Sequence, residues 1–217
     1  MRDDLTIIYY TSNAEEPEFE RRIQRTLMEQ SMGLPIVSVS QRPTDFGSIN
    51  ICIGDIGLSP RNMLKQIRTG AKAASTRFVA MAESDVLYHS SYFDFVPPRD
   101  DTFYYTDNVY LLFFNRSRFY RKGQRSETSG IVNRDHLIQL IDKLLRGAYR
   151  GRLNVAVGRI SLQAAFHRDV PTITIKTGNG MRFRHHDIVP ESRRLVSPHW
   201  GTAASVLHTY FGNGVNP

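Results

Sequence analysis

Short apolar segments alternate with amphipathic helical segments through the first half of this 217-residue chain, and this alternation constrains the fold more than any other feature. Residues 5–10 are apolar and rich in β-forming side chains, and residues 35–40 and 49–53 have the same character. Helices are predicted to begin near Pro17 and at Pro60, since proline favours the first helical position. Glutamates precede Pro17 and a serine precedes Pro60, and both residue types are favourable at the start of a helix. Strands joined by helical crossovers form a mainly parallel sheet, so the pattern predicts an α/β fold.

A nearly continuous apolar run over residues 77–82 predicts a strand that is covered on both faces, and the acidic turn Glu83-Ser84-Asp85 follows it directly. In open α/β sheets, ligands bind beyond the carboxyl ends of the strands. Two carboxylates around a small residue present hard oxygen ligands to Mg²⁺ or Mn²⁺, which in turn binds a diphosphate. The alternative is that Asp85 caps an ordinary solvated turn, and position alone leaves both interpretations open.

The pattern changes after residue 100, where an antiparallel addition to the sheet is predicted. Residues 103–106 and 109–114 flank Asp107-Asn108 and read as two strands of a hairpin. The other predicted elements are an amphipathic helix that begins at Asn133 or Arg134, a strand over residues 170–175 and a last helix over residues 202–211.

Composition is typical of one folded domain, with 41% hydrophobic and 23% charged residues and no Pro/Gly-rich linker or internal repeat. Neither a signal-peptide pattern nor an apolar run of membrane-spanning length is visible, which predicts a cytoplasmic protein with no membrane span. Cys52 lies in an apolar run, and we expect it to be a small buried hydrophobe.

The helix over residues 62–74 and the segment 76–85, which ends in Glu83-Ser84-Asp85, follow a strand-helix-strand opening, and together they resemble the GT-A glycosyltransferases. The resemblance covers residues 5 to about 115 well and the remainder loosely. It implies one GT-A-like domain over residues 1–217: a Rossmann-like, mainly parallel sheet flanked by helices, with a nucleotide-sugar-binding half over about 1–115 and an acceptor-side half over about 116–217.

In that family the acidic turn is usually Asp-x-Asp, whereas this chain has Glu-x-Asp. The last carboxylate is usually the direct metal ligand in the family, so the resemblance implies that Asp85 binds Mn²⁺ or Mg²⁺ and that Glu83 supports it. The donor implied is a UDP-sugar or another nucleotide diphosphate sugar, held against Glu83, Ser84 and Asp85.

The resemblance also implies a nucleotide pocket. The residues that it places there are Thr11, Ser12 and Asn13 at the end of the first strand, Asp55 near the base or ribose, and Lys65, with Arg68, facing the phosphates. The first three also suit helix capping and turn formation, and the two basic residues also suit a solvated helix face.

GT-A enzymes often complete the metal site with a histidine from the C-terminal part of the chain. The candidates here are His185 and His186, in a glycine-interrupted loop where Arg184 adds positive charge. Related enzymes often carry that histidine directly after the last strand, but this chain has Thr177 there. The alternative is that both histidines are exposed loop residues.

The implied reaction moves a sugar from the nucleotide diphosphate to an acceptor hydroxyl, and an inverting enzyme needs a carboxylate base beside that hydroxyl. Glu127 and Asp135 fall where the family's acceptor loop and following helix lie, although Asp135 also suits the first turn of a helix. Trp200 suits either a sugar-stacking platform or a core anchor.

The chain carries a formal net charge of +7, and residues 115–125 interleave five basic side chains with Phe119 and Tyr120. Such a stretch suits phosphate contact and base stacking, so DNA with a hydroxymethylated pyrimidine is a candidate acceptor, as in phage-type DNA-modifying GT-A enzymes. The rivals are a transferase acting on a surface glycan or small acceptor, and a non-catalytic nucleotide- or nucleic-acid-binding module.

Overall fold

The computed structural model describes residues 2–123, 125–126, 129–147, 161–179 and 188–212. None of the helices in these ranges is long and apolar enough to span a membrane. The strands are β1 (Leu5–Thr11), β2 (Ile36–Ser40), β3 (Ile49–Cys52), β4 (Phe78–Glu83), β5 (Val86–Leu87), β6 (Thr102–Thr106), β7 (Val109–Phe113), β8 (Phe119–Lys122), β9 (Gly130–Asn133), β10 (Leu162–Phe166), β11 (Thr172–Lys176), β12 (Ile188–Arg194), β13 (Val196–Ser197) and β14 (Gly201–Thr202). The helices are α1 (Pro17–Gln30), α2 (Pro60–Ala73), α3 (Ser90–Phe93), α4 (Arg134–Arg146) and α5 (Ala203–Phe211).

The main sheet has seven strands in the order β10-β6-β9-β4-β1-β2-β3. Strand β1 pairs in parallel with β2 and β4, and β2 pairs in parallel with β3, as expected for strands joined by helical crossovers. Strand β9 is inserted antiparallel between β4 and β6. The predicted α/β fold, with a mainly parallel sheet, flanking helices and a later antiparallel addition, is therefore confirmed.

The predicted helix starts are confirmed, and each has a side chain that caps the helix. The Glu16 side chain accepts a hydrogen bond from the Phe19 backbone N–H at 2.8 Å, ahead of Pro17 in α1. Ser59 caps α2 in the same way, and the Asn133 side chain caps α4. Such caps satisfy backbone donors that the first helical turn leaves without a partner.

Side chains of β1 and β4 alternate between two apolar clusters, so these two strands are covered on both faces. On one face, Ile8 and Met81 pack with apolar residues of α2 and α4, such as Ile67. On the other face, Tyr9 and Ala82 pack with residues that follow the acidic turn and with the end of α1. This double coverage explains the continuous apolar composition of residues 78–82, whereas Arg77 before them is exposed.

The hairpin predicted around Asp107-Asn108 is wrong, because β6 belongs to the seven-stranded sheet and β7 to a second sheet, ordered β12-β8-β7-β11-β5. The turn is bonded to the end of β10 and to the residues that follow it: the Asp107 N–H donates to the Phe166 carbonyl at 3.1 Å, and the Asn108 side-chain amide donates to the Arg168 carbonyl at 2.8 Å. Two neighbouring parallel strands, β6 and β10, thus continue together as β7 and β11.

Cys52 is exposed, not buried as its apolar neighbours predicted. It ends β3, which is the edge strand of the seven-stranded sheet and has an exposed pattern throughout most of its length. An apolar run in a strand therefore did not indicate burial here, since an edge strand lacks a neighbour on one side.

Gly70 lets helix α2 approach β1 closely, and we expect Gly70→Ala to lower the free energy of unfolding by about 1–2 kcal/mol. An added Cβ would clash with the Ile8 side chain and would lie 3.3 Å from Val39 Cγ2. This overpacking outweighs the gain in helix propensity of up to about 1 kcal/mol. Urea denaturation would measure it, with Lys72→Ala at an exposed position of the same helix as the control; a stabilised Gly70→Ala variant would contradict the close packing.

Candidate functional site

A cleft lies at the carboxyl ends of β1, β2 and β4, where an open α/β sheet is expected to bind its ligands. One end of the cleft is largely uncharged, and the other carries acidic side chains and a lysine. The residues that line it are Tyr10, Thr11, Ser12, Glu15, Gln41, Gly57, Leu58, Ser59, Met63, Gln66, Glu83, Ser84, Asp85 and Lys176.

The acidic turn lies in this cleft and is held by hydrogen bonds on both sides. The Tyr10 hydroxyl donates to Glu83 Oε1 at 2.9 Å, and the Glu83 backbone N–H donates to the Tyr88 hydroxyl at 3.2 Å. On the other side, the Ile175 N–H donates to the Asp85 carbonyl at 2.7 Å. These three hydrogen bonds fix the turn, and the Asp85 carboxylate faces the cleft.

Lys176, the last residue of β11, forms an ion pair with Asp85, and their Nζ and Oδ2 atoms are 3.3 Å apart. The Asp85 side chain is 14% exposed and the Lys176 side chain 25% exposed. Burial by itself lowers the pKa of Lys176, but the carboxylates of Asp85, Glu83 and Glu15 outweigh it and raise that pKa. The ammonium group therefore stays protonated and gives the cleft a positive charge. Sequence reasoning missed Lys176, although it stands beside Thr177, where the family's histidine was expected.

Glu15 is a second functional candidate that the sequence analysis missed. Its side chain lines the cleft although the residue is only 8% exposed, and its Oε2 atom has no hydrogen-bond partner among the described residues. Burial raises the pKa of Glu15 to about 7; a hydrogen bond with Thr177 opposes the rise, and the charges of Asp85 and Glu20 add to it. A buried carboxyl with an unused oxygen is costly unless a ligand or cation meets it.

The predicted nucleoside residues divide into two roles. Thr11 and Ser12 line the cleft, whereas the Asn13 side chain joins the ends of β1 and β2. Asn13 Oδ1 accepts hydrogen bonds from the backbone N–H groups of Gln41 and Arg42 at 3.0 and 2.8 Å. Asn13 also has a φ of 54°, in the left-handed region that asparagine tolerates better than most residues. Its turn-forming interpretation thus has direct structural support.

Two glutamines shape the uncharged end of the cleft, and sequence reasoning found neither. Gln41 Oε1 accepts from the N–H groups of Ile56 and Gly57 at 3.0 and 2.9 Å, which folds the loop before α2 against the end of β2. Gln66 Nε2 donates to the carbonyls of Thr11 and Val39. Gln66 could have been found from the sequence, because it is a polar residue on the otherwise apolar face of a predicted helix.

The structure does not bring Asp55, Lys65 or Asp135 to the cleft. Asp55 is exposed, and its Oδ1 accepts from the Gly57 N–H at 3.1 Å as a turn residue; Lys65 lies on the exposed face of α2. Asp135 is exposed in the first turn of α4 and pairs with Arg134. Asn133, two residues before Asp135, is in register with Phe78 at the amino end of β4, about 16 Å along that strand from Glu83. Asp135 therefore lies near the opposite end of β4 from the cleft.

Glu127, Arg184, His185 and His186 lie outside the described residues, so their predicted roles stay predictions. Within the described ranges, no group of three His, Cys, Asp or Glu side chains is placed to hold a metal ion. Asp85 and Glu83 do offer hard carboxylate oxygens at one end of the cleft. Their chemistry suits Mg²⁺ or Mn²⁺, which binds protein through one or two carboxylates and takes its other ligands from water and phosphate.

The aromatic residues of the basic segment face the interior. Phe119 is fully buried and Tyr120 is 7% exposed, both in β8, so they do not form the base-stacking platform that the sequence predicted. Arg116 lies over the rings of Phe113 and Tyr120 at 5.4 and 5.8 Å. Trp200 Nε1 donates to the Pro171 carbonyl at 2.8 Å and its ring packs against an apolar cluster, which favours a core anchor.

No family model matches the chain, and no curated protein matches it. Among solved structures, the inositol-1-phosphate CTP transferase from T. maritima is similar with a TM-score of 0.53 at 10% identity, over 99% of this chain and 98% of that chain. This likeness concerns the fold alone, and it extends over the full length of both chains.

Two glycosyltransferase structures are also similar at lower scores. One is a glycosyltransferase involved in the glycosylation of the major capsid of PBCV-1, with a TM-score of 0.49 and 11% identity over 78% of this chain and 92% of that chain. The other is S. aureus TarS 1-349 in complex with UDP-GlcNAc, with a TM-score of 0.49 and 12% identity over 84% of this chain and 60% of that chain.

The raised pKa of Glu15 predicts a pH-dependent effect of Glu15→Gln on stability. The folded state retains a proton near pH 6 that the unfolded state has released, so wild-type stability falls as pH rises from about 5 to about 7. The variant escapes this loss, and we expect it to be more stable than wild type by up to about 3 kcal/mol at pH 8 and nearly equal at pH 5. Urea denaturation at both pH values measures this, with the exposed Glu29→Gln as control; the same difference at both values would contradict it.

Proposed function

We propose that this chain is a glycosyltransferase that moves a sugar from a nucleotide diphosphate sugar, a UDP-sugar or another, to an acceptor hydroxyl. The observation that carries the proposal is the pairing of Asp85 with Lys176 in a cleft at the carboxyl ends of buried parallel strands. Opposite charges at such a position suit a ligand that brings both phosphate oxygens and a cation. The alternatives are a nucleotidyltransferase and a non-catalytic nucleotide-binding module, and the products of the assay described below distinguish them.

The cleft offers a separate place for each part of the donor. We place the nucleoside at the uncharged end, against Thr11, Ser12 and Met63, and the diphosphate at the charged end beside Asp85 and Lys176. The amino-terminal end of α2 reaches the cleft at Ser59, and its partial positive charge favours an anion between the two ends. The similar CTP transferase handles a nucleotide on the same fold, which is an argument by fold analogy.

A divalent cation belongs to this proposal, because the described lining of the charged end has more carboxyl groups than basic groups. Glu15, Glu83 and Asp85 stand against Lys176, and a donor diphosphate adds further negative charge. We propose that Asp85, supported by Glu83, holds Mn²⁺ or Mg²⁺. When bound, the ion neutralises charge that develops on the leaving diphosphate. The roles of His185, His186 and Arg184 in completing this site remain proposals.

In the proposed reaction, the acceptor oxygen bonds to the anomeric carbon, the bond from that carbon to the diphosphate oxygen breaks, and the acceptor hydroxyl loses its proton. Tyr10 orients Glu83 through its hydrogen bond, and Lys176 supplies positive charge beside Asp85. Glu127 remains the candidate for the proton-accepting carboxylate.

Asp85→Asn is expected to reduce sugar transfer by about 100-fold or more, since it removes the carboxylate proposed to hold the cation. We expect the variant to fold, because the Asp85 carbonyl keeps its hydrogen bond from the Ile175 N–H and an amide of nearly the same shape replaces the carboxylate that pairs with Lys176. The assay measures release of nucleoside diphosphate from a panel of nucleotide sugars with Mn²⁺, with EDTA, and with Mn²⁺ restored. The matched control is Asp3→Asn, an exposed position before the amino end of β1. Activity that persists in EDTA and in Asp85→Asn would refute the cation assignment.

The products of the same assay separate the alternatives. Glycosyl transfer releases a nucleoside diphosphate, whereas nucleotidyl transfer from a nucleoside triphosphate releases pyrophosphate. A non-catalytic binding module would bind a nucleotide, measurable as a rise in Tm, without turning over any sugar donor.

A DNA acceptor carrying a hydroxymethylated pyrimidine is the finer form of the proposal. It rests on the net charge of +7, because burial of Phe119 and Tyr120 removes the stacking surface. A DNA acceptor predicts that the chain binds duplex DNA. The affinity should fall by about 10³-fold when the salt concentration rises from about 50 to about 200 mM, because each phosphate contact releases a bound counter-ion. Arg118→Ala should weaken this binding and Lys72→Ala should not. If DNA binding is absent or independent of salt, the DNA acceptor is excluded and a surface glycan or small acceptor becomes the proposed acceptor.

A further inference from the structure

The Asp85–Lys176 ion pair lies at the charged end of the cleft and joins the turn between the two sheets to a strand of the second sheet. Asp85 follows β4 of the seven-stranded sheet, and Lys176 ends β11 of the second sheet. Among the described residues that line the cleft, Lys176 is the only lysine or arginine. A single ammonium group is therefore shared between the acidic turn and any anion that enters.

We propose that Lys176 is a resident counter-ion that competes with the divalent cation for Asp85. In the empty cleft its ammonium holds the Asp85 carboxylate; when the cation takes Asp85, the ammonium moves to the donor diphosphate. Metal binding and diphosphate binding are thereby coupled through one side chain. This inference rests on the proposed function, since it assigns Lys176 its partner in the donor.

The geometry allows the exchange without backbone movement. The backbone of Lys176 is fixed, because its carbonyl accepts from the Phe114 N–H at 3.1 Å and its strand is in register with β7. The Asp85 backbone is fixed by the Ile175 N–H. Only the Lys176 side chain has to move, and four rotatable bonds let its ammonium group change partner locally.

The balance of charge calls for a second cation. Even when Glu15 carries a proton, the carboxylates of Glu83 and Asp85 face one ammonium group, so the described lining is negative overall. Glu15 adds an independent observation, because its buried Oε2 lacks a hydrogen-bond partner among the described residues. An incoming diphosphate is repelled by this excess. Lys176 attracts it weakly while its ammonium group is shared with Asp85, and more strongly when another cation satisfies Asp85.

Competition gives Lys176→Met two effects of opposite sign. Removal of the ammonium group leaves Asp85 with its full negative charge, so Mn²⁺ alone should bind about tenfold more tightly than to wild type. The same removal takes away the cation that meets the diphosphate, so inorganic pyrophosphate in metal-free buffer should bind about tenfold more weakly. A purely structural role for Lys176 predicts weaker binding of both.

The two probes are measured separately, so that no metal–pyrophosphate complex forms. Free Mn²⁺ is titrated by electron paramagnetic resonance, and pyrophosphate by calorimetry in EDTA, for wild type, Lys176→Met and Lys176→Arg. Lys176→Arg, which keeps the charge, should behave like wild type in the Mn²⁺ titration. Lys72→Met is the matched control, because it removes the same charge from an exposed position in the last turn of α2. Mn²⁺ affinity in Lys176→Met that equals or falls below that of wild type overturns the proposal.

A further variant keeps the test decisive if Lys176→Met fails to fold. Asp85→Asn releases the ammonium group and removes one negative charge, so pyrophosphate should bind this variant about tenfold more tightly than wild type in metal-free buffer. Unchanged or weaker binding overturns the proposal. Failure of the proposed function is distinguishable, because it appears as absent turnover of every nucleotide sugar while these binding measurements remain interpretable.

Discussion

The hydrogen bond from the Ile175 N–H to the Asp85 carbonyl is the contact on which the arrangement of the site depends. It lies at the point where the chain leaves β4 of the seven-stranded sheet and enters β5 of the second sheet. Because of it, the acidic turn is both the junction of the two sheets and the charged end of the cleft. Its carboxylates, bonded to Tyr10 and Lys176, therefore line the cleft at a position that the backbone fixes.

The parallel half of the fold could be predicted from sequence because its signals are local. The signals are periodic apolar residues, the capping residues Glu16, Ser59 and Asn133, and the apolar run of residues 78–82, and all are visible within short windows. The partners of β6 and β7 could not be predicted in this way. Which sheet a strand joins depends on contacts with residues about 60 positions away, as for Asn108 with Arg168, and a plausible hairpin turn contains no information about them.

The candidate site was predictable only in part, for the same reason. Glu83-Ser84-Asp85 was found because it follows a recognisable strand, and Thr11 and Ser12 because they follow another. Lys176 and Glu15 could not be predicted, because they become candidates only through burial near Asp85 in the folded chain and neither belongs to a recognisable sequence motif. Asp135 is the converse case. Its residue type and its place in the chain suited a site residue, but the register of β9 against β4 puts it near the amino end of β4, whereas the cleft lies at the carboxyl end.

The passage of β6 and β10 together into β7 and β11 has a mechanical consequence for the cleft. Both strands of the pair stay hydrogen-bonded to each other in each sheet, so the sheets are joined by a two-stranded ribbon as well as by the acidic turn. A ribbon resists twisting and shear far better than a single connecting chain does. The spacing between Asp85, in the turn that joins the sheets, and Lys176, in the second sheet, is therefore set by the scaffold, and adjustment to a ligand falls to side chains.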